Sequence, residues 1–405
     1  MTSPASPLPL VAIACGGTGG PLFPGLAVRE RLLKHGCRVL LLVSPKEIDR
    51  LAVKSETRGG AADVVLLPAV GLQDGNHLSF ALSFLKSLFA SWKLFRRRMP
   101  AAVLAMGGFT SAPPVFAARD LGARTFLHES NAIPGRANRL LARFVDGAFV
   151  GFPEAAGRLK TRRVTVTGTP VRPQFQPRAA AACRAALGLE PDRPVVLVVG
   201  GSQGAHGLNE MILAALPILA GRAAGGPPLQ FLHLTGAADF QKVRAAYDAR
   251  GVRAVVKPFL AEMELALGAA TVAVSRAGAS SLAELAAMQL PPVLVPFPAA
   301  ADNHQLFNAR ALEAAGAARL LEQKGCAPER TAAVIGELVE NEKTRAAMQT
   351  ALAGWHAPEA AEQIAGRVLE AIGQSSETGK SGTRETRPSE TAGSSETTRS
   401  AGLAA

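Results

Sequence analysis

The chain has 405 residues, 48% apolar, 19% charged and 5% aromatic, enough at roughly 150 residues per domain for two or three packed units. Its 44 basic and 32 acidic residues leave a formal charge of +12, which calls for an anionic partner without choosing among nucleic acid, acidic membrane and phosphorylated substrate. Cys15, Cys37, Cys183 and Cys326 lie far apart with no C-x-x-C pair, which excludes a zinc knuckle, a thioredoxin motif and a disulfide framework and fits a reducing cytoplasm.

Residues 9–14 (PLVAIA) form an apolar run too short, and too poor in preceding basic residues, for a secretory signal. They read as a buried strand that ends at Gly16-Gly17-Thr18-Gly19-Gly20, after which Leu26, Val28, Leu32 and Leu33 mark a helix. Residues 38–43, 64–67, 102–105, 124–128 and 148–150 continue as strands. Apolar strands alternating with helical stretches predict a parallel sheet covered on both faces.

Within this half, residues 78–98 place Phe80, Phe84, Leu85, Leu88, Phe89, Trp92 and Phe95 at helical spacing beside Lys86, Lys93, Arg96, Arg97 and Arg98. A stripe this broad and aromatic, flanked by cations, predicts a helix lying on anionic lipid; packing against the sheet is the alternative. No stretch is uninterrupted and apolar for the roughly 18–20 residues of a membrane-spanning helix.

The pattern then restarts. Residues 194–199 (PVVLVV) run into Gly200-Gly201-Ser202-Gln203-Gly204 and a helix over 208–219, with strands at 230–234, 254–256, 271–274 and 292–295. The expected fold class is α/β: two doubly wound, Rossmann-like domains facing a central cleft. We expect residues 8–172 to form the first domain, joined by a C-terminal helix over 356–372, and residues 173–355 the second. The junction lies near the proline-broken segment 169–177. Residues 373–405, rich in Ser, Thr, Gly and balanced charge, are expected to be disordered.

Each glycine loop joins a strand to a helix, the setting in which backbone N–H groups and the helix dipole bind phosphate. The first loop lacks the third glycine of a dinucleotide fingerprint, having Leu22 there, and neither loop is followed by G-K-[ST]. In the second half, Ser275-Arg276-Ala277-Gly278-Ala279-Ser280-Ser281 leads into a helix carrying Glu284. Small residues there admit a pyrophosphate, and Glu284 is placed either to bind both hydroxyls of a ribose or to interact with the helix dipole. Downstream, Asp302-Asn303-His304-Gln305 and Asn308 form a polar set suited to sugar hydroxyls.

Together with Gly107-Gly108-Phe109, His128-Glu129-Ser130-Asn131 and Gly168-Thr169-Pro170-Val171-Arg172, these stretches resemble a bacterial glycosyltransferase family. Its members transfer N-acetylglucosamine from UDP-N-acetylglucosamine to undecaprenyl-pyrophosphoryl-muramyl-pentapeptide, converting lipid I to lipid II in peptidoglycan synthesis. The resemblance spans residues 9–370. It implies the GT-B fold, an inverting, metal-independent transferase with no cofactor, and a peripheral location on the cytoplasmic face of the inner membrane.

By position, the resemblance implies a donor site of Thr18, Gly19, Gly20, Asn131, Arg172, Ser202, Gln203, Gly204, Phe259, Leu260, Ala279, Glu284, His304, Gln305 and Asn308. Phe259 and Leu260 would border the uracil, Glu284 would hold the ribose, and His304, Gln305 and Asn308 would read the sugar. Thr18, Gly19, Phe109, His128, Asn131 and Asn138 would line the acceptor pocket. The implied membrane contacts are Phe84, Leu85, Leu88, Phe89, Trp92, Arg96, Arg97 and Arg98. The partners are thus UDP-N-acetylglucosamine, lipid I and an anionic membrane surface, with no nucleic acid and no metal.

One position departs from that family. Its first glycine loop ends in a histidine, and here Pro21 stands in its place, removing a side-chain base. Three possibilities follow: His128 or Glu129 takes the proton, deprotonation comes late in the transition state, or the enzyme is slow. The competing readings are another GT-B enzyme acting on a different lipid acceptor, and a catalytically weak paralogue that binds UDP-sugar without turnover. A nucleic-acid protein suits the charge but lacks a basic and aromatic module.

Overall fold

The structure is a computed structural model that describes residues 8–16, 19–44, 63–68, 77–201, 203–221 and 228–381. It contains two parallel sheets. The first has the order β3-β2-β1-β4-β5-β6-β7, from β1 (Leu10–Cys15), β2 (Arg38–Val43), β3 (Asp63–Leu66), β4 (Ala102–Ala105), β5 (Arg124–Glu129), β6 (Gly147–Val150) and β7 (Val164–Val166). The second has the order β10-β9-β8-β11-β12-β13, from β8 (Val195–Val199), β9 (Gln230–Leu234), β10 (Ala254–Lys257), β11 (Val272–Ser275), β12 (Pro292–Leu294) and β13 (Arg319–Leu320).

Central strands such as LVAIAC of β1 are buried on both faces because helices cover each side of the sheet. The order reverses at β1/β4 in the first sheet and at β8/β11 in the second. At such switch points the carboxyl ends of the strands open into a crevice, so the glycine loops after β1 and β8 occupy equivalent positions.

The short edge strands β7 and β13 are absent from the sequence expectation. Val164–Val166 is partly exposed and Arg319–Leu320 has two residues, so neither carries the apolar run that marked the others. The helix Ala360–Ser381 packs against the helix Gly19–Lys34, and its Ala361, Ile364, Ala365 and Val368 join a core cluster with Val11 and Ile13 of β1. It continues to Ser381, nine residues beyond residue 372. Residues 382–405 of the expected tail lie outside the described residues.

The helix His77–Arg97 is amphipathic in an unexpected register. Ser87, Ser91 and Phe95 are buried, and Phe84, Leu88 and Trp92 pack against the first domain's core. Trp92 also donates from its indole nitrogen to Asp120 at 3.1 Å. Phe84, Leu88 and Trp92 are therefore corrected from membrane contacts to half-buried residues that pack against the core. Leu78, Leu82, Leu85 and Phe89 form the outward stripe, with Lys86, Lys93, Arg96 and Arg97 exposed nearby. Arg96 lies over the Trp92 ring at 4.4 Å, and Arg98 pairs with Asp63. By length and hydropathy alone Leu78–Arg97 would suffice to cross a membrane, yet its inner face is committed to the globular core.

Candidate active site

The first-domain wall is built from the loops after β1, β4 and β5. A Cβ on Gly16 would meet the Thr110 side chain at 2.7 Å, so glycine lets the two loops approach. Ser111 Oγ lies 3.0 Å from the Ala14 carbonyl and 2.7 Å from that of Gly107, fastening the loop after β4 to the end of β1. Phe109 opens the short turn Phe109–Ser111 and meets Phe80 of the aromatic helix edge-on at 5.4 Å. Gly19 and Gly20 begin the first helix. Thr18 lies outside the described residues.

At the end of β5 the structure corrects the assignment of a base. His128 is fully buried, with Nε2 3.2 Å from the Gly168 carbonyl and Nδ1 3.2 Å from Ser130 Oγ. A carbonyl only accepts, so Nε2 donates and Nδ1 accepts from the serine. Burial lowers the imidazole to about 4, opposed by the bond to Gly168; the ring is neutral, with both nitrogens occupied. Glu129 is buried too, and its carboxylate accepts four hydrogen bonds. Oε1 takes Asn131 N and Nδ2, each at 2.9 Å, and Oε2 takes Gly135 N at 2.9 Å and Asn138 Nδ2 at 2.8 Å. Neither residue stands as an available base; together they shape the loop 129–135 and the helix Arg136–Leu141.

The second-domain wall begins at the loop after β8. Gly204, at φ +77, has no room for a Cβ, which would sit 2.1 Å from the Thr235 carbonyl, and Gly236 faces the Gln203 carbonyl as closely. The glycine loop is thus pressed onto the end of β9. Behind it, Asn209 donates to the Thr235 carbonyl at 3.0 Å and to Asp239 at 2.8 Å, while His206 Nδ1 lies 3.0 Å from Asp239. Gln203 is exposed, and Ser202 lies outside the described residues. After β10, Phe259 is 51% exposed whereas Leu260 is in the core, so only Phe259 offers a ring surface to a base.

The helix Ala279–Ala287 starts at the end of β11, with Gly278 extended at its N-cap. Ala279 lines a small cavity between the domains with Gly168 and Thr169. Glu284 lies beyond the first turn, too far along for the dipole reading, and faces Arg172, whose Nη2 is 3.7 Å from its Oε1. The Arg172 guanidinium is also 4.3 Å from the Phe23 ring and 4.9 Å from that of Phe175. Burial pushes the Glu284 carboxyl up to about 7, with Arg172 pulling the other way.

The sugar-reading set divides. Gln305 Oε1 accepts from Phe297 N at 2.9 Å, leaving its amide nitrogen as a donor. His304 Nδ1 donates to the Ala301 carbonyl at 2.8 Å, leaving Nε2 as an acceptor. Asn308, expected at the sugar, is fully buried and accepts from Ala132 N at 2.9 Å. Its Nδ2 donates to Asn131 Oδ1 at 3.0 Å and to the Ala277 carbonyl at 3.1 Å. It is corrected to a bridge between the domains, and Asn131 is the other half of it. Asn138 is likewise turned inward, onto Glu129.

Three cross-cleft contacts escaped sequence reasoning. Ser280 Oγ donates to the Gly20 carbonyl at 2.6 Å. Arg136 and Arg139 pair with Asp302 at 3.1 and 2.8 Å, across 166 and 163 residues of chain. The i, i+3 spacing of the arginines was visible, but nothing local names a partner so distant.

Comparison with known proteins adds the following. Residues 11–150 match the glycosyltransferase family 28 N-terminal domain, and residues 195–364 the glycosyltransferase family 28 C-terminal domain. A protein of Anaeromyxobacter sp. (strain Fw109-5) is 38% identical over 358 residues, covering 87% of this chain and 91% of its own. One of Synechococcus sp. (strain RCC307) is 40% identical over 321 residues, covering 78% and 84%. Both are named UDP-N-acetylglucosamine--N-acetylmuramyl-(pentapeptide) pyrophosphoryl-undecaprenol N-acetylglucosamine transferase. Among solved structures, Acinetobacter baumannii MurG superposes with a TM-score of 0.68 at 27% identity, covering 90% of this chain and 100% of that one. A Listeria monocytogenes putative UDP-N-acetylglucosamine 2-epimerase, at 14% identity and a TM-score of 0.66, shares the fold.

Proposed function

The chain belongs to glycosyltransferase family 28, and from that premise we infer that it transfers N-acetylglucosamine from UDP-N-acetylglucosamine to the muramyl 4-hydroxyl of lipid I, forming lipid II. The observation that carries this reading is the 38% identity to a transferase of that name along 91% of its length. The facing phosphate loops support it.

In this reading the second domain takes the donor. Glu284 accepts from the ribose hydroxyls, Phe259 borders the uracil, and the loop 200–204 with the helix Ala279–Ala287 receives the pyrophosphate. The backbone N–H groups of that helix's first turn are fixed before the reaction, so they stabilise the charge that develops on departing UDP without reorganising. His304 contributes an acceptor and Gln305 a donor to the sugar. Attack by the 4-hydroxyl on C1 in a single displacement breaks the bond to UDP and inverts the anomeric centre, giving a β(1→4) link.

Pro21 supplies no base, and His128 and Glu129 are engaged elsewhere. We therefore assign a late proton loss, after C–O bond formation has made the hydroxyl acidic, with the proton passing to the phosphate oxygen of departing UDP or to solvent. The same observation favours a second reading, a paralogue that binds donor without turnover.

We also place the protein peripherally on the cytoplasmic face of an anionic membrane. Leu78, Leu82, Leu85 and Phe89 would enter the interface, and Lys86, Lys93, Arg96 and Arg97 would meet the headgroups.

The deciding experiment measures UDP release from UDP-N-acetylglucosamine in EDTA, with and without a soluble lipid I analogue. Acceptor-dependent release supports the transferase and its independence of divalent metal. Donor binding without release moves the assignment to the inactive paralogue.

A further inference from the structure

The turn before His304 is held in an unfavourable shape. Asp302 (φ 50, ψ 25) and Asn303 (φ 53, ψ 26) are consecutive non-glycine residues in the left-handed region, which L residues avoid because Cβ crowds the following carbonyl. Within its own domain the turn is closed by Asn303 N to the Ala300 carbonyl at 2.9 Å and by the His304 backbone N–H to the Ala301 carbonyl. Its strongest charged partners lie in the other domain. Arg136 and Arg139 grip the two carboxylate oxygens of Asp302 separately, at 3.1 and 2.8 Å. The two guanidinium groups, that of Arg136 foremost, hold the Asp302 carboxyl below the usual range.

The arginines are themselves anchored. Both project from the helix Arg136–Leu141, whose N-terminal Gly135 amide and inward-turned Asn138 are bound by the Glu129 carboxylate. One continuous set of contacts thus runs from the end of β5 through Glu129, the short helix and Asp302 to the turn that carries His304 and Gln305. One helical turn further, Asn308 is tied to the same first-domain loop through Ala132 and Asn131. The polar face proposed to read the sugar is fastened to the first domain at both ends, whereas Glu284 and Phe259, proposed for the uridine, lie outside that set.

We propose that Asp302 is a positioning residue for the donor sugar, clamped by Arg136 and Arg139 so that His304 and Gln305 take the shape that recognises N-acetylglucosamine only when the two domains meet. The proposal rests on the donor-site reading above. It separates two halves of donor recognition: the uridine diphosphate is held through Glu284, with Arg172 beside it, and the sugar is read through a turn shaped by Arg136 and Arg139.

The test compares dissociation constants for UDP and for UDP-N-acetylglucosamine, by calorimetry on the full chain, for Asp302→Asn and for the double variant Arg136→Gln/Arg139→Gln. Asparagine tolerates the left-handed conformation, so the first change removes charge and leaves the turn. Both variants should bind UDP within about twofold of the unmodified chain and UDP-N-acetylglucosamine about fivefold more weakly, the order expected for loss of two solvent-accessible charge-assisted contacts. Arg136→Lys/Arg139→Lys should retain most of the sugar preference. Raising ionic strength should erode that preference in the unmodified chain and leave it flat in Asp302→Asn. Unchanged UDP-N-acetylglucosamine affinity, equal loss for both ligands, or an effect of Asp302→Asn that the arginine variant fails to reproduce would overturn the assignment. Because the readout is binding, it holds even if the unmodified chain turns nothing over, so the clamp and the transferase reading fail separately.

Discussion

Asn308 of the second domain donates from Nδ2 to Asn131 Oδ1 of the first at 3.0 Å, and its own Oδ1 accepts from Ala132 N at 2.9 Å. An amide can do both at once, and no other side chain of that length offers a donor and an acceptor on one plane. The two halves of the chain are therefore joined by a polar contact whose Asn308 side is fully buried.

Truncating this bridge leaves the Ala132 amide and the Asn131 carbonyl without partners. Asn308→Ala should lower the free energy of unfolding by about 2 kcal/mol, the typical cost of stranding buried polar groups. Denaturant titration measures it. A stability equal to that of the unmodified chain would return Asn308 to the sugar-reading role.

Glu284 carries two consequences of opposite kind. Glu284→Ala should weaken UDP binding at least tenfold while the fold persists, and unchanged affinity would remove the ribose assignment. The folded carboxyl sits near 7, above its ordinary 4.5, so the folded state holds this proton more tightly than the unfolded chain does. Its contribution to stability is complete below about 4.5 and is lost as pH rises through 7, at about 1.4 kcal/mol per unit of separation. Glu284→Gln should therefore gain stability over the unmodified chain at pH 8 and show no such gain at pH 5, as paired melting curves would reveal.

Buried histidines predict the reverse slope at acid pH. Burial lowers His128 to about 4 and His233 to about 3, the latter held between Tyr247 Oη at 3.1 Å and Asn209 Oδ1 at 3.0 Å. Each folds neutral, so its contribution is complete above about 6.5 and drains away as pH falls toward the folded value. Melting temperature should drop between pH 6.5 and 4, and His128→Gln should flatten part of that drop. Parallel curves for the two chains would contradict the buried neutral ring.

The aromatic helix separates its two faces experimentally. Replacing Leu82, Leu85 and Phe89 together with serine should release the protein from anionic vesicles with little change in melting temperature. Replacing Phe84 and Trp92 with alanine should instead destabilise the fold by about 1–3 kcal/mol, the cost of truncating large half-buried side chains that pack on the core. Undiminished vesicle binding by the first variant would withdraw the interfacial role.

How far the sequence reached can be followed residue by residue. The run PLVAIA and its counterpart PVVLVV, each ending in a glycine loop, were sufficient for two doubly wound sheets, because strands buried on both faces read as near-continuous apolar runs and so announce themselves locally. The edge strands Val164–Val166 and Arg319–Leu320 were invisible for the converse reason: they are short or half exposed and carry no such run. The aromatic helix was located correctly, but its orientation was not. Phe84 and Phe89 look alike in a list of residues, and only the position of the first domain's core assigns one inward and the other outward.

The chemistry divides along the same line. Loop glycines, the small residues before Glu284, and Gln305, proposed above for the sugar, are local features, set by backbone space and by the residue's own donors and acceptors, and the amino-acid order determines them alone. Tertiary structure decided what each titratable group is free to do. His128 and Glu129 stand side by side in a motif that suggests catalysis, yet a carbonyl from Gly168 and amides from Gly135 and Asn138 consume their hydrogen-bonding capacity. Asp302 and its two arginines, more than 160 residues apart in the chain, meet only because both sheets present their carboxyl ends to one cleft. A lone pair or a charge acts through whatever lies within about 3 Å of it, and for groups separated by half the chain that neighbourhood exists only once both domains have folded and closed.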